Sequence, residues 1–466
     1  NYARESALSK GVITNEEQQV SVKASITVAD KIFKVKLSPT GQNLDMIGAY
    51  DKRAFKVKVL GGKSIFGMRE FKLLPPNSRH YVVELVGHEL EKKHGLIALR
   101  YFFVETTLNG KDLGIYAIEE HFNKELLENA KMREGIIFSF KNNKVRIYNE
   151  KKLSKINNLK NQIRDLKLTL QAVKNKEIEI SRAFDIDKFA SAFAIIDLMD
   201  GYHALGYNMN YYLNPITNLI EPIIREYNSL SYGKGNSNLD MLLIEQAQKN
   251  SRGFTIRAKL FQNNKFVTSY LRKLNNLSNK KYLDYFFKDI NKELDNQLSI
   301  IYRSNPFYKF PKELLYKRQL QIKEKLNGDL AIISNINEDK KDKSDIIIKN
   351  NSAFPIELIN IFSSGKRLNK FSKKIIYPNE KIDFSFNQHS QINRSEIYFM
   401  YKIYGIKNAV RTSLIVPKSF SNGTSLSNLW NTSSDDEMKE NDFIIDHKTK
   451  IISFDKNIIN IKKNMF

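Results

Sequence analysis

The chain has 466 residues, is 41% hydrophobic, and carries a formal net charge of +24 from 75 Lys and Arg against 51 Asp and Glu. Cysteine is absent, which excludes disulfides and thiolate metal sites. No apolar run approaches the ~18 residues that span a bilayer, and the length is enough for about three domains with sizeable cores.

The basic balance invites nucleic acid or an anionic surface as partner. Lys, Asn and Ile are nevertheless over-used along the whole length, and there is no Arg-rich arm, zinc spacing or RNP-like aromatic pair. Compositional bias is the better account, and nucleic-acid binding ranks last among the readings. The sequence begins at Asn1, so we expect a leader, anchor or tag to have preceded it.

Residues 1–19 read as a polar lead with a short helix ending at Gly11. Alternating apolar residues from Val20 to Val28, then over 31–37 and 55–60, predict half-buried strands. A loop with Gly61, Gly62 and Gly67 follows, then a strand over 70–74 carrying Lys72, with Arg79 shortly after. The loop matches no phosphate-loop spacing, so its glycines alone predict a hairpin turn. Residues 78–94 read as one amphipathic helix. Strands over 101–108 and 113–118 flank Asn109-Gly110, a strong hairpin signal. A helix over 123–130 and a strand region over 135–147 come next. Helical spacing returns after Glu150, with an interruption near Asn157-Asn158, and again over 186–199. Past a loop over 227–250, read as a surface loop or a lid, helices are expected over 260–277, 281–302 and 312–326.

Residues 335–344, NINEDKKDKS, are predicted to be a linker. The short β-rich runs beyond them suggest a small sandwich for interaction or presentation. Residues 422–441 read as mobile, and 451–466 as a further strand or hairpin.

The stretch 195–228 concentrates chemistry-bearing side chains. A buried helix end, a turn at Asp200-Gly201, and two apolar strands joined by Asn214-Pro215 make a hairpin with polar groups at its ends. Oxygen ligands at the edge of a core suit Mg²⁺. Phosphoryl transfer needs a carboxylate near the acceptor hydroxyl, oxygen ligands for metal, and cations over the phosphates. Asp200 can be the first, and Asn208 or Asn210 with Glu226 the second. On residue type alone, Asp197 reads as a helix-terminal polar residue, Asp200 as a turn residue, and His203 as a partly buried hydrogen-bonded histidine.

The run over 55–84 with its glycine loop, the hairpin motif Asn109, Gly110, Gly114, Tyr116, Glu120, and the strand Asn210-Tyr211-Tyr212-Leu213 resemble the CotH family of atypical protein kinases. The resemblance covers about 20–326. It implies a two-lobed kinase-like domain of a β-rich part (20–150) and a helical part (151–334); with the β-rich runs read over 345–466 as a separate domain, the expected fold is α+β. It also implies ATP- and Mg²⁺-dependent transfer to Ser or Thr of a protein of the cell envelope. Carried over, Lys72 holds phosphate with help from Arg79, Glu120 pairs with the lysine, and Asp200 approaches the acceptor hydroxyl. Asn208 or Asn210 and Glu226 then hold metal. Two departures stand out. The family's strand-ending aspartate is here Glu226, beside Arg225, and Mg²⁺ demands near-ideal octahedral geometry. The base-to-asparagine spacing Asp-x-x-x-x-Asn, counted back from Asn208, lands on His203, a rival for the base role. A catalytically degenerate interaction protein therefore stands as the alternative.

Overall fold

The computed structural model describes residues 20–41, 52–141, 144–206, 208–227, 241–249, 256–327, 332–340, 343–363, 366–367, 374–387, 397–406, 411–414 and 416–417. The polar lead over 1–19, most of the loop over 227–250, and the C-terminal segments 422–441 and 451–466 lie outside them. The chain divides into two compact units, Asn1–Leu243 with Asn250–Ile322, and Ile244–Lys249 with Lys323–Phe466. Strands and helices fall largely in separate runs, an α+β chain.

The first unit opens with a six-stranded antiparallel sheet of order β1-β2-β3-β4-β6-β5. Its strands are β1 (Val22–Val28), β2 (Lys31–Pro39), β3 (Phe55–Val59), β4 (Glu70–Leu74), β5 (Tyr101–Leu108) and β6 (Lys111–Glu120). Asn109 and Gly110 both take positive φ (52° and 80°), the primed turn that the dipeptide predicts. On one face, Val35, Val57, Val59, Phe71 and Ile118 build a core, which Ile65 and Met68 of the glycine loop complete. The loop therefore anchors its own tip by burial. The other face carries Lys56, Lys72 and Glu119 in one cross-strand row, because β3 pairs Lys56 with Lys72 and β4 pairs Lys72 with Glu119.

The helix expected over 78–94 begins later. Pro76–Arg79 is a 3₁₀ turn, His80 and Tyr81 both take positive φ, and α1 runs over Val82–Lys93. Arg79 therefore sits on a turn above the sheet face. Helix α2 (Lys124–Asn129) precedes β7 (Ile136–Lys141) and β8 (Lys144–Ile147). These pair with β9 (Asn210–Leu213) and β10 (Ile220–Ile223) in a second sheet of order β10-β9-β7-β8. The hairpin read over 195–228 is thus present, and Ile97, Leu99, Phe122, Leu126, Ile137, Tyr212 and Ile223 pack around it.

Helices α3 (Glu150–Leu153) and α4 (Asn157–Lys174) place the expected interruption just before Asn157. Helix α5 (Ile186–Met199) is capped by Asp185, which accepts from the Lys188 N–H at 3.0 Å. It ends in a left-handed residue, Asp200 (φ 51°), with Gly201 N–H bonded back to Ile196 O at 2.8 Å. Helix α6 is Leu243–Lys249. The helix expected over 260–277 is two, α7 (Ile256–Phe261) and α8 (Asn264–Leu277), because Asn263 caps the second by accepting from Phe266 N–H at 3.1 Å. Helices α9 (Tyr282–Tyr302) and α10 (Lys312–Asn327) follow.

The second unit holds a four-stranded and a five-stranded sheet. The linker expected over 335–344 is instead the turn end of a hairpin, β11 (Ile332–Lys340) against β12 (Lys343–Asn350). Its alternating Ile332, Ser334 and Ile336 pair with Asn350, Ile348 and Ile346, and the charges crowd toward the Lys340–Lys343 end.

Candidate functional site

A buried ionic chain crosses the open face of the first sheet. Lys72 Nζ donates to Glu119 Oε1 at 2.5 Å. Arg79 Nε donates to Glu119 Oε2 at 2.9 Å, and Arg79 Nη2 to Glu226 Oε1 at 2.8 Å. Arg225 Nη1 also contacts Glu226 Oε1 and lies 3.9 Å from Glu119 Oε1. Glu119 is fully buried and Arg79 nearly so. Burial alone would raise the Glu119 carboxyl, but Lys72, Arg79 and Arg225 outweigh it and hold it at about 2. Burial would likewise raise Glu226, and Arg225 and Arg79 hold it well below the usual carboxylate range. The Lys72 ammonium is pushed down by burial, partly offset by Glu119.

The lysine's partner is therefore Glu119, and the expectation of Glu120 is corrected. Lys72 and Glu119 stand opposite each other in the ladder and share a face, whereas neighbours on a strand point to opposite faces. Glu120 turns to the core side, where it accepts from Arg100 Nε at 2.9 Å and from the Arg100 N–H at 3.1 Å.

Glu226 is set by its backbone. It has φ 59°, a left-handed conformation rare for a long side chain. The Glu84 carboxylate of α1 accepts the N–H groups of Glu226 and Tyr227 at 2.6 and 3.0 Å. Tyr227 Oη donates to Glu91 at 2.6 Å, and His88 lies between the two glutamates, 3.6 Å from Glu84 and 3.2 Å from Glu91. All four side chains are buried. The Tyr227 ring fits because Gly87 and Gly201 leave room: a Cβ at either would meet it at 2.4 or 2.5 Å. Sequence reasoning missed this row. Its signal was acids at 84 and 91 on a helix whose other residues are mostly apolar.

Asp200 caps α5, half-buried, and its Oδ1 meets no hydrogen-bond partner among the described residues. Burial pushes its carboxyl up to about 6, with Arg318 opposing. His203 stands one turn on, exposed, with Nε2 3.6 Å from Glu226 Oε2. Asn208 Nδ2 donates to His203 O at 2.7 Å. Asn210 is buried, donates to Asn208 O at 2.9 Å, and accepts from Tyr148 Oη at 2.9 Å. Asp197 is the helix-terminal polar residue that the sequence suggested, and it anchors the helix end. It accepts from Tyr270 and Tyr202 hydroxyls at 2.5 and 2.9 Å and from Leu243 N–H at 3.1 Å. Lys72, Arg79, Glu226, His203 and Asn208 thus join in one connected set. Asp200 sits beside it in the chain, and Asn210 is tied to it through Asn208.

The donor types suit a hard cation and an anion. Among the described residues, Asp200 Oδ1 is a buried carboxylate oxygen without a partner, and Arg225 Nε is a buried donor without one. No group of three or more His, Cys, Asp or Glu is arranged to hold a metal among the described residues; the oxygens at hand here are those of Asp200, Glu226 and the Asn208 and Asn210 amides. A cleft of about 410 Å³ lined by Asn77, His80, Tyr81, Asn305 and Tyr308 includes none of the expected site residues.

The family model of the CotH kinase protein matches residues 41–321, which contain every side chain above. The chain belongs to the CotH family. Lys72, Glu119, Arg79 and Glu226 all fall within this CotH region. No curated protein matches the chain. No helix among the described residues is long and apolar enough to cross a membrane.

Proposed function

We propose that the protein is an ATP- and Mg²⁺-dependent protein Ser/Thr kinase acting on a surface or envelope protein. The observation that carries this reading is the buried chain Lys72–Glu119–Arg79–Glu226, which fixes two cations and two carboxylates over one sheet face. Bound Mg²⁺ and ATP would supply the transferable phosphoryl group and the charge that offsets its oxygens. Lys72 and Arg79 hold phosphate oxygens, with Glu119 keeping both side chains in place. Glu226 and Asn208 offer oxygen ligands. Asp200 takes the acceptor hydroxyl's proton on its unpartnered Oδ1. A two-lobed kinase-like arrangement accords with a sheet-rich run followed by helices, and the second unit would present or recruit partners.

A second reading keeps the scaffold and drops the chemistry. It is favoured by Glu226, whose carboxylate already engages Arg79 and Arg225. One experiment separates the two. Under the first reading, Mg²⁺ with ATP at ~100-fold excess over Kd raises stability by about 2.7 kcal/mol, ³²P passes from γ-labelled ATP to protein Ser or Thr, and Asp200→Asn stops transfer. Under the second there is no transfer in any divalent metal. Transfer that survives Asp200→Asn and stops on His203→Ala assigns the base to His203.

A further inference from the structure

Resting on the kinase reading, we propose that His121 binds a phosphate oxygen of the nucleotide through Nδ1–H, with Lys56 setting its tautomer. His121 directly follows β6 and shares the sheet face of Lys72 and Glu119. Its Nε2 lies 3.2 Å from Lys56 Nζ and 3.8 Å from Glu70 Oε2, the carboxylate standing beyond hydrogen-bond reach. An ammonium only donates, so Nε2 accepts, and the neutral imidazole carries its proton on Nδ1. Nδ1 is buried and meets no acceptor among the described residues. The ring is held by Phe122 at 5.9 Å and by Tyr148 edge-on at 5.7 Å, so it cannot swing out to find one without losing those contacts.

The surroundings choose the acceptor. Lys56 and Lys72 occupy the same face, and Arg225 lies over the Phe122 ring at 5.4 Å. The carboxylates that face them are already engaged: Glu70 with Lys56 and Lys58, and Glu119 with Lys72 and Arg79. Burial and the neighbouring cations keep the imidazole uncharged. Arg225 Nε, in the same guanidinium that lies over Phe122, is a second buried donor with no acceptor among the described residues. Donors left unmade beside cations suit an oxyanion. Phosphate can arrive as nucleotide or as the free ion, so the test carries both.

The test uses the full chain and two isosteric variants. His121→Asn keeps an amide donor near the Nδ1 position and loses the Lys56 contact. His121→Gln keeps an acceptor toward Lys56 and loses the Nδ1 donor. Calorimetric affinities are measured for Mg·ATP, adenosine and inorganic phosphate, with a thermal midpoint for each protein. His121→Gln should weaken Mg·ATP by about tenfold or more, the scale of a hydrogen bond to a charged group. His121→Asn should stay near wild type, and adenosine affinity should not move. A loss seen equally with inorganic phosphate assigns the donor to a phosphate of either source and supports the proposal. In ¹⁵N NMR, His121 should carry its proton on Nδ1, and that nitrogen should shift on adding Mg·ATP. The inference fails if His121→Gln binds Mg·ATP like wild type, if adenosine loses as much, or if the proton sits on Nε2. Wild-type protein that binds no Mg·ATP overturns the kinase reading instead, and this inference with it.

Discussion

Two adjacent glutamates, 119 and 120, end the same strand with different tasks. Glu119 neutralises Lys72 and Arg79 in a dry setting, so Glu119→Ala leaves buried cations uncompensated. We expect it to cost about 3–5 kcal/mol of stability and to abolish Mg·ATP binding, read by denaturant melts and calorimetry. Glu120→Ala removes the carboxylate only from Arg100, which is partly exposed and keeps its bonds to the Phe66 and Gly67 carbonyls, and should leave nucleotide affinity within about twofold of wild type. Asp200 gives a pH signature. Its folded value of about 6 lies above the ordinary carboxyl value of ~3.9. The folded state therefore holds the proton more tightly, and stability from this group falls as pH rises from ~4 through about 6. Asp197, also raised to about 6 by burial, adds to the same fall. Phosphoryl transfer should rise over this window as Asp200 ionises, and Asp200→Asn should flatten part of the stability slope in pH-dependent melts. The resemblance picked out Lys72, Arg79, Asn208 and Glu226, and the spacing back from Asn208 added His203; these five lie in one connected set, while Asp200, also chosen, sits beside it. It chose Glu120 over Glu119 because the motif counts positions along one strand, whereas the partner is set by register with β4, which a single strand does not encode. His121 was passed over for the same reason: its meaning depends on Lys56, 65 positions away.

At the scale of elements, α1 is the part that sequence patterning described least well. Val82, Leu85, Val86 and Leu90 mark an apolar face, yet Glu84, His88 and Glu91 are buried too. Acids on a helix normally signal solvent, and only the strand end arriving at 226–227 shows what they hold. The same docking explains Gly87. Ala ordinarily stabilises a helix interior relative to Gly by ~1 kcal/mol, but here its methyl would run into the Tyr227 ring. Gly87→Ala should therefore destabilise by about 1–3 kcal/mol of overpacking strain, seen as a lower thermal midpoint. Strand periodicity placed nearly every strand of the first sheet, because alternation is written into each strand separately. The charged run 335–344 was misplaced as a linker because charge near a hairpin tip and charge in a linker look alike.

Across the whole molecule, charge and topology dominate. The +24 balance gives a field that favours anions, and screening shortens its reach from ~10 Å at 0.1 M salt to ~3 Å at 1 M. The KM for Mg·ATP should therefore rise several-fold between about 0.05 and 0.5 M KCl, while the thermal midpoint moves little, since the pairs around Glu119 are shielded from solvent ions. The Arg79–Glu226 pair has a different consequence. Its members are separated by 147 positions, and Glu84 reaches the same corner across 142. Contacts so distant in the chain are paid for in loop entropy before they return anything, and they form late. A nascent polypeptide halted before residue 226 lacks the far end of the Lys72–Glu119–Arg79–Glu226 chain, however well its first sheet has formed. In refolding after dilution from denaturant, recovery of Mg·ATP binding should track the slowest tyrosine-fluorescence phase and never run ahead of it.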